Sequence, residues 1–494
     1  LKIGRPLIHS TRFEPGSFMT ESTPSAQRPS RLSADARAIF ECGVAAVQPA
    51  ALIARHVGIT AGELQVGPAR LSLAAIDRVV VVGAGKASGA MAAALVTRLQ
   101  PALKPGQQLL GWVNVPDDCR DEAGPVRLHH SRPAGSNLPT ERVVAGTREM
   151  VSLVESLGQK DICFCLISGG GSALLALPAE GISLEDKRAT SSLLSARGAS
   201  IQQLNRVRRQ LSRVKGGGLV ARRRAGEFIS LILSDVLGDP LELIASGPTV
   251  SDPANTPESA IAVFTELGID LNDLPTSVRA HLLRSCESRA AREQLPQQTT
   301  SPAVNFLVGN LPAAISAAAE EAHARGYEVV TEVQQSPSVT ADAEGVRLAE
   351  WILRHGESAR PVCLISGGEP TVRLCPHPGL GGRNQQLALA GLKTLLEAGR
   401  NRQTGDSLPD FCLLSAGTDG EDGNTTAAGA IVDGEFIRRC RNLRLDPTPY
   451  LQANDANRFF IEQRGLLSTG PTGTNVGDLR ILLVENWQTP RESS

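Results

Sequence analysis

Aromatic residues are scarce in this chain: 11 Phe, 3 Trp and 2 Tyr among 494 residues. A surface that stacks bases needs aromatic platforms beside a basic field, and neither stands out. Basic and acidic residues balance at 50 and 51, a formal net charge of −1. No global field therefore draws in nucleic acid or an anionic membrane, and neither partner is expected. No apolar run reaches the roughly 18 residues that a bilayer-spanning helix requires. The nine cysteines include no Cys-x-x-Cys pair, and several sit in apolar stretches (Cys163, Cys165, Cys363, Cys412). An odd count in a long chain argues against a disulfide framework or zinc and for reduced, buried thiols in a reducing compartment.

What is abundant is glycine, 48 residues of it, on a background of Ala, Val and Leu. That mixture suits an α/β protein with many strand-to-helix turns. The length predicts two domains or three. Residues 1–33 are rich in Ser, Thr, Pro and Arg and lack periodicity, so they read as a disordered or targeting tail. The expected location is cytoplasmic, with a mitochondrial leader as the other reading of that tail.

From residue 34 the pattern alternates. Apolar runs at Arg78–Val82, Leu109–Val115, Ile162–Ile167 and Phe228–Leu233 read as strands, and Lys86–Leu99, Thr140–Leu157 and Ile201–Val214 as helices. This order predicts a Rossmann-like parallel sheet with helices on its faces over 34–290. The polar stretch Ser285–Pro302 is the linker candidate. Alternation restarts over 303–486: strands at Val304–Val308, Tyr327–Glu332, Val362–Ile365, Phe411–Ser415 and Ile481–Val484, and helices at Leu311–Arg325, Ala341–His355 and Arg383–Ala398. A second, smaller α/β domain follows, its last segment free to pack back onto the first. An interdomain cleft is the expected ligand site.

The hexapeptide Cys-Leu-Ile-Ser-Gly-Gly occurs twice, at Cys165–Gly170 and Cys363–Gly368. Each copy is a strand ending in a glycine turn whose free N–H groups can cradle an anion. The first copy continues as Ser168-Gly169-Gly170-Gly171-Ser172, a phosphate cradle or a hinge. The second turns at once to Glu369, a poor neighbour for phosphate, and is better suited to starting the second sheet and positioning Arg383. Gly83-Ala-Gly85-Lys86 is a further strand-to-helix turn, and its lysine is a point charge fit for phosphate. It departs from the dinucleotide fingerprint: the third glycine, Gly89, is one residue late, and no acid follows about twenty residues on. Arg206, Arg209 and Arg213 share one helical face, either solvated or gripping an acidic substrate. Asp235 and Asp239 follow a strand and are candidates for a base or a metal ligand, or for turn caps. Thr418-Asp419-Gly420 suits a metal–phosphate or ribose site, and Thr469–Asn475 is one more polar glycine loop.

Taken together, Val82–Gly89, Ile167–Leu175, Leu204–Arg208 with Lys215–Gly218, Ser234–Pro240, Ser246–Thr249, Gly382–Gln385 and Gly417–Gly420 resemble the glycerate 2-kinase family, the class II glycerate kinases with a carboxyl-terminal MOFRL domain, in the animal-type form. The resemblance covers roughly residues 36–484. It implies transfer of the ATP γ-phosphate to the 2-hydroxyl of D-glycerate with Mg²⁺. It maps the catalytic lysine, aspartate and arginine onto Lys86, Asp235 and Arg383. Gly83, Gly85, Ser168, Gly169, Gly170, Gly171, Ser172, Thr418, Asp419 and Gly420 are the matching nucleotide-binding candidates. The Mg²⁺ ligands and the oligomeric state stay open. At 132–140 the His-Pro-x-Pro-Asp segment of many bacterial members gives way to Arg-Pro-Ala-Gly-Ser-Asn-Leu-Pro-Thr, which resembles the Asn-Leu-Pro form of animal-type members with Thr140 in place of the usual Asp, and no role is assigned to it. Two other readings stand beside the kinase. One is an NAD(P)-dependent hydroxypyruvate/glycerate oxidoreductase, which the glycine spacing disfavours. The other is a non-catalytic metabolite-binding protein, which would not need Lys86, Asp235 and Arg383 together.

Overall fold

The computed structural model describes residues 30–133, 138–224, 226–292, 303–336, 338–401 and 408–485. Fifteen strands fall into three sheets among these residues. A small antiparallel meander holds β1 (Val57–Thr60), β2 (Glu63–Val66) and β3 (Ala69–Ser72). The first large sheet holds β4 (Arg78–Ala84), β5 (Gln108–Pro116), β6 (Val126–Arg132), β7 (Asp161–Ile167), β8 (Glu227–Leu233) and β9 (Val304–Gly309), in the order β6-β5-β4-β7-β8-β9 and parallel throughout. Its centre is β4, where Val79 to Val82 are fully buried. Val79 and Val81 face one core cluster, Val80 and Val82 another. An uninterrupted apolar run is what a strand covered on both faces requires. The chain winds outward from β4 through β5 to β6, then crosses back to β7. The strand order therefore reverses between β4 and β7, and such a switch point opens a crevice at the carboxyl ends of the strands.

The second large sheet holds β10 (Glu328–Val333), β11 (Val362–Gly367), β12 (Asp410–Gly417), β13 (Gly429–Asp433), β14 (Leu466–Leu467) and β15 (Asp478–Glu485), in the order β10-β11-β15-β12-β13-β14. It is mixed. Only β10 and β11 run parallel, and β15 lies antiparallel between β11 and β12. Strands buried on both faces look alike in either orientation, so their residues do not carry the direction.

Three boundaries differ from the sequence reading. Strand β9, expected in the second domain, is the edge of the first sheet. Phe306 packs edge-on against His56, 5.2 Å between ring centroids, and Val308 joins the first core. The helix Arg31–Ala46 comes early in the chain but covers the second sheet, where Ile39 and Phe40 pack with Leu414, Ile481 and Leu483. Burying one such side chain contributes about 2–3 kcal/mol. The last strand, β15, belongs to the middle of the second sheet, while the loop before it reaches the first unit through Val476. The expected tail at 1–33 overlaps this helix, whose cap is Ser30; residues 1–29 lie outside the described part. The linker candidate is helical over its first residues, within Thr276–Arg292, and 293–302 lie outside the described residues.

Candidate active site

The two turns at the switch point are locked together. Gly83 lies within β4, where an added Cβ would sit 2.4 Å from the Leu166 carbonyl oxygen. Gly85, at φ +151°, would drive a Cβ to 2.0 Å from Ser168 Oγ. Ser168 is buried; its Oγ accepts from the Ala87 N–H at 3.0 Å and meets Ser88 Oγ at 3.0 Å. The Lys86 N–H donates to the Gly169 carbonyl at 2.8 Å. Gly83, Gly85 and Ser168 thus hold β4 and β7 together; close packing accounts for them without ligand contact. Gly169 leaves room for Asp235, whose Oδ2 would lie 2.1 Å from a Cβ there. The Gly171 N–H is already taken by the Ser168 carbonyl at 3.1 Å, so the cradle is not wholly open. Ser172 is exposed; its Oγ lies 3.1 Å from Ser246 Oγ and its carbonyl accepts from Lys215 Nζ at 2.9 Å.

The charged groups come from both large sheets. Lys86 Nζ lies 3.0 Å from Asp419 Oδ2 and 3.6 Å from Glu421 Oε2. Burial works against its charge, but Asp419, Glu421 and Asp235 outweigh that and hold the ammonium above its ordinary range. Arg383 begins the helix Arg383–Asn401 and grips Asp478 with two bonds, 2.5 and 2.9 Å, and Glu369 with one, 2.6 Å. Burial disfavours the guanidinium charge, and these carboxylates more than restore it. Asp235 follows β8 and accepts from Asn475 Nδ2 at 3.2 Å. Desolvation pushes its carboxyl up to about 6, with Asp419 adding to the shift and Lys86 and Arg383 opposing it. Glu369 is open to the cleft yet ringed by protein; desolvation, Asp478 and Asp235 push it up to about 7 against the pull of Arg383. The three residues mapped as catalytic therefore converge.

Thr418 is buried, donating to the Gly477 carbonyl at 2.7 Å and accepting from the Val476 N–H at 2.9 Å. Gly420 turns at φ +87° against Gly470. Both shape the loop that carries Asp419 and are not open to a ligand themselves. Asp422 accepts from the N–H groups of Asn384 and Gln385, 3.0 and 2.8 Å, and so caps the Arg383 helix. Asp239 accepts from Asn310 Nδ2 at 2.6 Å, tying β8 to the loop after β9. The shared arginine face dissolves: Arg213 lies beyond the helix Ile201–Gln210, and Arg209 is buried on Asp252 at 3.1 Å.

A cavity of about 770 Å³ is lined by Lys86, Arg132, Glu369, Arg383, Asp419 and Asn475, among others. A second, of about 430 Å³, is lined by Asp118, Arg120, Asp121 and Thr474 and shares Lys86, Arg132, Asp419 and Glu421 with the first. A cleft of this size between units, with opposed cations and a carboxylate raised toward neutrality, suits transfer of a charged group.

Residues 35–283 match a family described as "Domain of unknown function (DUF4147)", and residues 362–478 match the MOFRL family. The glycerate kinase of Homo sapiens is 35% identical over 508 residues, covering 92% of this chain and 93% of that protein. The D-glycerate 2-kinase of Thermotoga maritima is 35% identical over 417 residues, covering 83% and 91%. The solved structure of a glycerate kinase from Thermotoga maritima matches with a TM-score of 0.74 at 34% identity, over 92% of this chain and 100% of that one.

This chain belongs to the glycerate kinase family.

In this glycerate kinase-family fold the MOFRL match runs from the start of β11 to the first residue of β15. It therefore supplies Glu369, Arg383, Asp419 and Asp478 to the cleft, while the DUF4147 match supplies Lys86, Arg132 and Asp235. Sequence reasoning missed Arg132, Asp478 and the bond of Asn475 to Asp235. Arg132 ends β6, a strand too polar to announce itself (Val-Arg-Leu-His-His-Ser-Arg). Asn475 had been noted only as part of a polar loop, and Asp478 carries no local signal. Among the described residues no group of three or more His, Cys, Asp or Glu is arranged to hold a metal by itself. Mg²⁺ commonly takes one or two carboxylates plus substrate phosphates. Asp419, which lines the cavity beside Lys86, fits that role.

Proposed function

We propose that this protein transfers the γ-phosphoryl group of ATP to the 2-hydroxyl of D-glycerate, forming 2-phospho-D-glycerate and ADP. One observation carries the reading: Lys86 and Asp235 from the first sheet meet Arg383 from the second across the switch-point crevice. The kinase names and chain-length coverage of the relatives support it.

Phosphoryl transfer depends on positioning and charge neutralisation more than on covalent chemistry by the protein. Lys86 and Arg383 supply positive charge to the phosphoryl oxygens, each held in place by its carboxylate partners. The hydroxyl oxygen of glycerate forms the new bond to phosphorus while the bond to the ADP oxygen breaks, and ADP leaves with the electron pair. The hydroxyl proton passes to Asp235, whose raised pKa of about 6 suits a base working near neutrality. Asn475 donates to the Oδ2 of Asp235 and orients the carboxylate. Mg²⁺, held by Asp419 together with the nucleotide, would neutralise charge on the phosphates. The cation-and-acid set, and not a dinucleotide fingerprint, favours the kinase over the oxidoreductase and binding-only alternatives.

The test is incubation with ATP, Mg²⁺ and D-glycerate, with product analysis that separates 2-phospho- from 3-phosphoglycerate. Release of ADP with 2-phosphoglycerate is expected. A change in NAD(P)H absorbance without ADP release would overturn the reading.

A further inference from the structure

Three cations line the larger cavity, and two are already neutralised. Lys86 is paired with Asp419 and Glu421, and Arg383 with Asp478 and Glu369. A polyanion entering the cleft must share both with four carboxylates. The third cation is Arg132. It is 1% exposed, and its Nε and Nη1 have no hydrogen-bond partner among the described residues. A buried guanidinium without a bonded counter-ion is costly, and among the described residues only the field of Asp118 partly offsets that cost.

Its position supplies a reason. Arg132 and Lys86 each line both cavities, so they stand where the two meet. They also flank Gly170: a Cβ there would lie 3.5 Å from Lys86 Cγ and 3.6 Å from Arg132 Nη2. A group passing from a donor in one cavity to an acceptor in the other crosses this meeting point. A planar guanidinium with free N–H groups matches phosphoryl oxygens two at a time.

We propose that Arg132 is a catalytic residue that grips the transferring phosphoryl group between the two cavities, opposite Lys86. The inference rests on the kinase reading and adds to it a third phosphate-binding cation. Burial lowers the pKa of Arg132, Asp118 partly opposing, and a desolvated cation interacts more strongly with an arriving anion.

The test compares the full chain with its Arg132→Met and Arg132→Lys variants. Arg132→Met is expected to lower kcat by about 100-fold or more, while KM for ATP and for D-glycerate shift by less than about threefold. Arg132→Lys restores part of the loss, since it returns the charge without the fork. The Tm of Arg132→Met should stay level or rise, because an unpartnered buried charge is gone; a purely structural arginine predicts a fall. ADP, aluminium fluoride and D-glycerate together should raise the wild-type Tm beyond ADP alone, and Arg132→Met should lose that increment. A kcat within about threefold of wild type, a rise confined to KM for glycerate, or a thermal increment kept in Arg132→Met would each overturn the proposal. Wild-type turnover in the same assay checks the kinase reading by itself, and the thermal increment reads Arg132 whether or not turnover occurs.

Discussion

Lys86 Nζ and Asp419 Oδ2 lie 3.0 Å apart, and the two residues belong to different sheets. The turn after β4 is thus tied to the turn after β12, so the lysine proposed to bind phosphate is aimed by the opposite unit. Asp419 does more than orient it. Together with Glu421 and Asp235 it keeps the ammonium charged despite partial burial, so Lys86 carries its charge throughout the neutral range.

Replacing the lysine tests that arrangement. Lys86→Met should lower kcat by about 10²–10³-fold, the usual loss when one donor to a transition-state oxyanion is removed. Its side chain is 34% exposed, so circular dichroism should be unchanged. Near-normal turnover in this variant would remove Lys86 from the mechanism.

Asp235 predicts a pH signature. A base raised to about 6 must be ionised to work, so kcat/KM should rise through that pH. Asp235→Asn should flatten this limb and lower kcat by about 10²–10⁴-fold. The same shift makes a stability prediction. The folded state binds the proton more tightly than the unfolded state between 3.8 and about 6, so stability falls as pH rises through that window. Asp235→Asn should therefore raise Tm above pH 6 and give no gain below pH 3.8. An unchanged pH profile would move the base elsewhere.

Asp422 holds the start of the Arg383 helix. Two backbone N–H groups and the side-chain amides of Asn384 and Gln385 all donate to it. Desolvation pushes its carboxyl up to about 6, against those backbone donors. Asp422→Ala strands buried donors and should cost about 2 kcal/mol or more, read by urea unfolding. Because Arg383 is the first residue of that helix, kcat should fall as well.

Lys187 predicts the opposite sign. It is buried, its Nζ has no partner among the described residues, and desolvation with nearby Arg208 pulls it down to about 7. The unfolded chain binds the proton more tightly, so stability rises with pH between about 7 and 10.5. Lys187→Met should raise Tm at pH 6–7, with the gain fading toward pH 10.5. A lower Tm at pH 6 would mean that the lysine is held by a contact of its own.

The repeated hexapeptide shows how far the chain could be read from its residues. Both copies form buried strands that end in a turn, β7 and β11. Their serines diverge: Ser168 Oγ is bonded to the neighbouring turn, whereas Ser366 Oγ is buried without a partner among the described residues. Glu369, just after the second copy, reaches Arg383. The apolar runs, the glycine turns and the loops carrying Lys86, Asp235 and Arg383 were all legible, since each is a local pattern of side-chain size and backbone freedom. Strand β6 was not, because Arg127, His129 and His130 break its apolar run, and the meander β1–β3 is too short to stand out.

By itself, then, the sequence determined the α/β class, the family, the parallel first sheet and the three residues whose chemistry suits phosphoryl transfer. Tertiary structure alone decided that β9 closes the first sheet, that β15 runs antiparallel in the middle of the second, and that Arg132 lacks the carboxylates that hold Lys86 and Arg383. Strand partners and ion pairs are chosen between residues up to hundreds of positions apart, as with Lys86 and Asp419, and such choices leave no local periodicity in the chain.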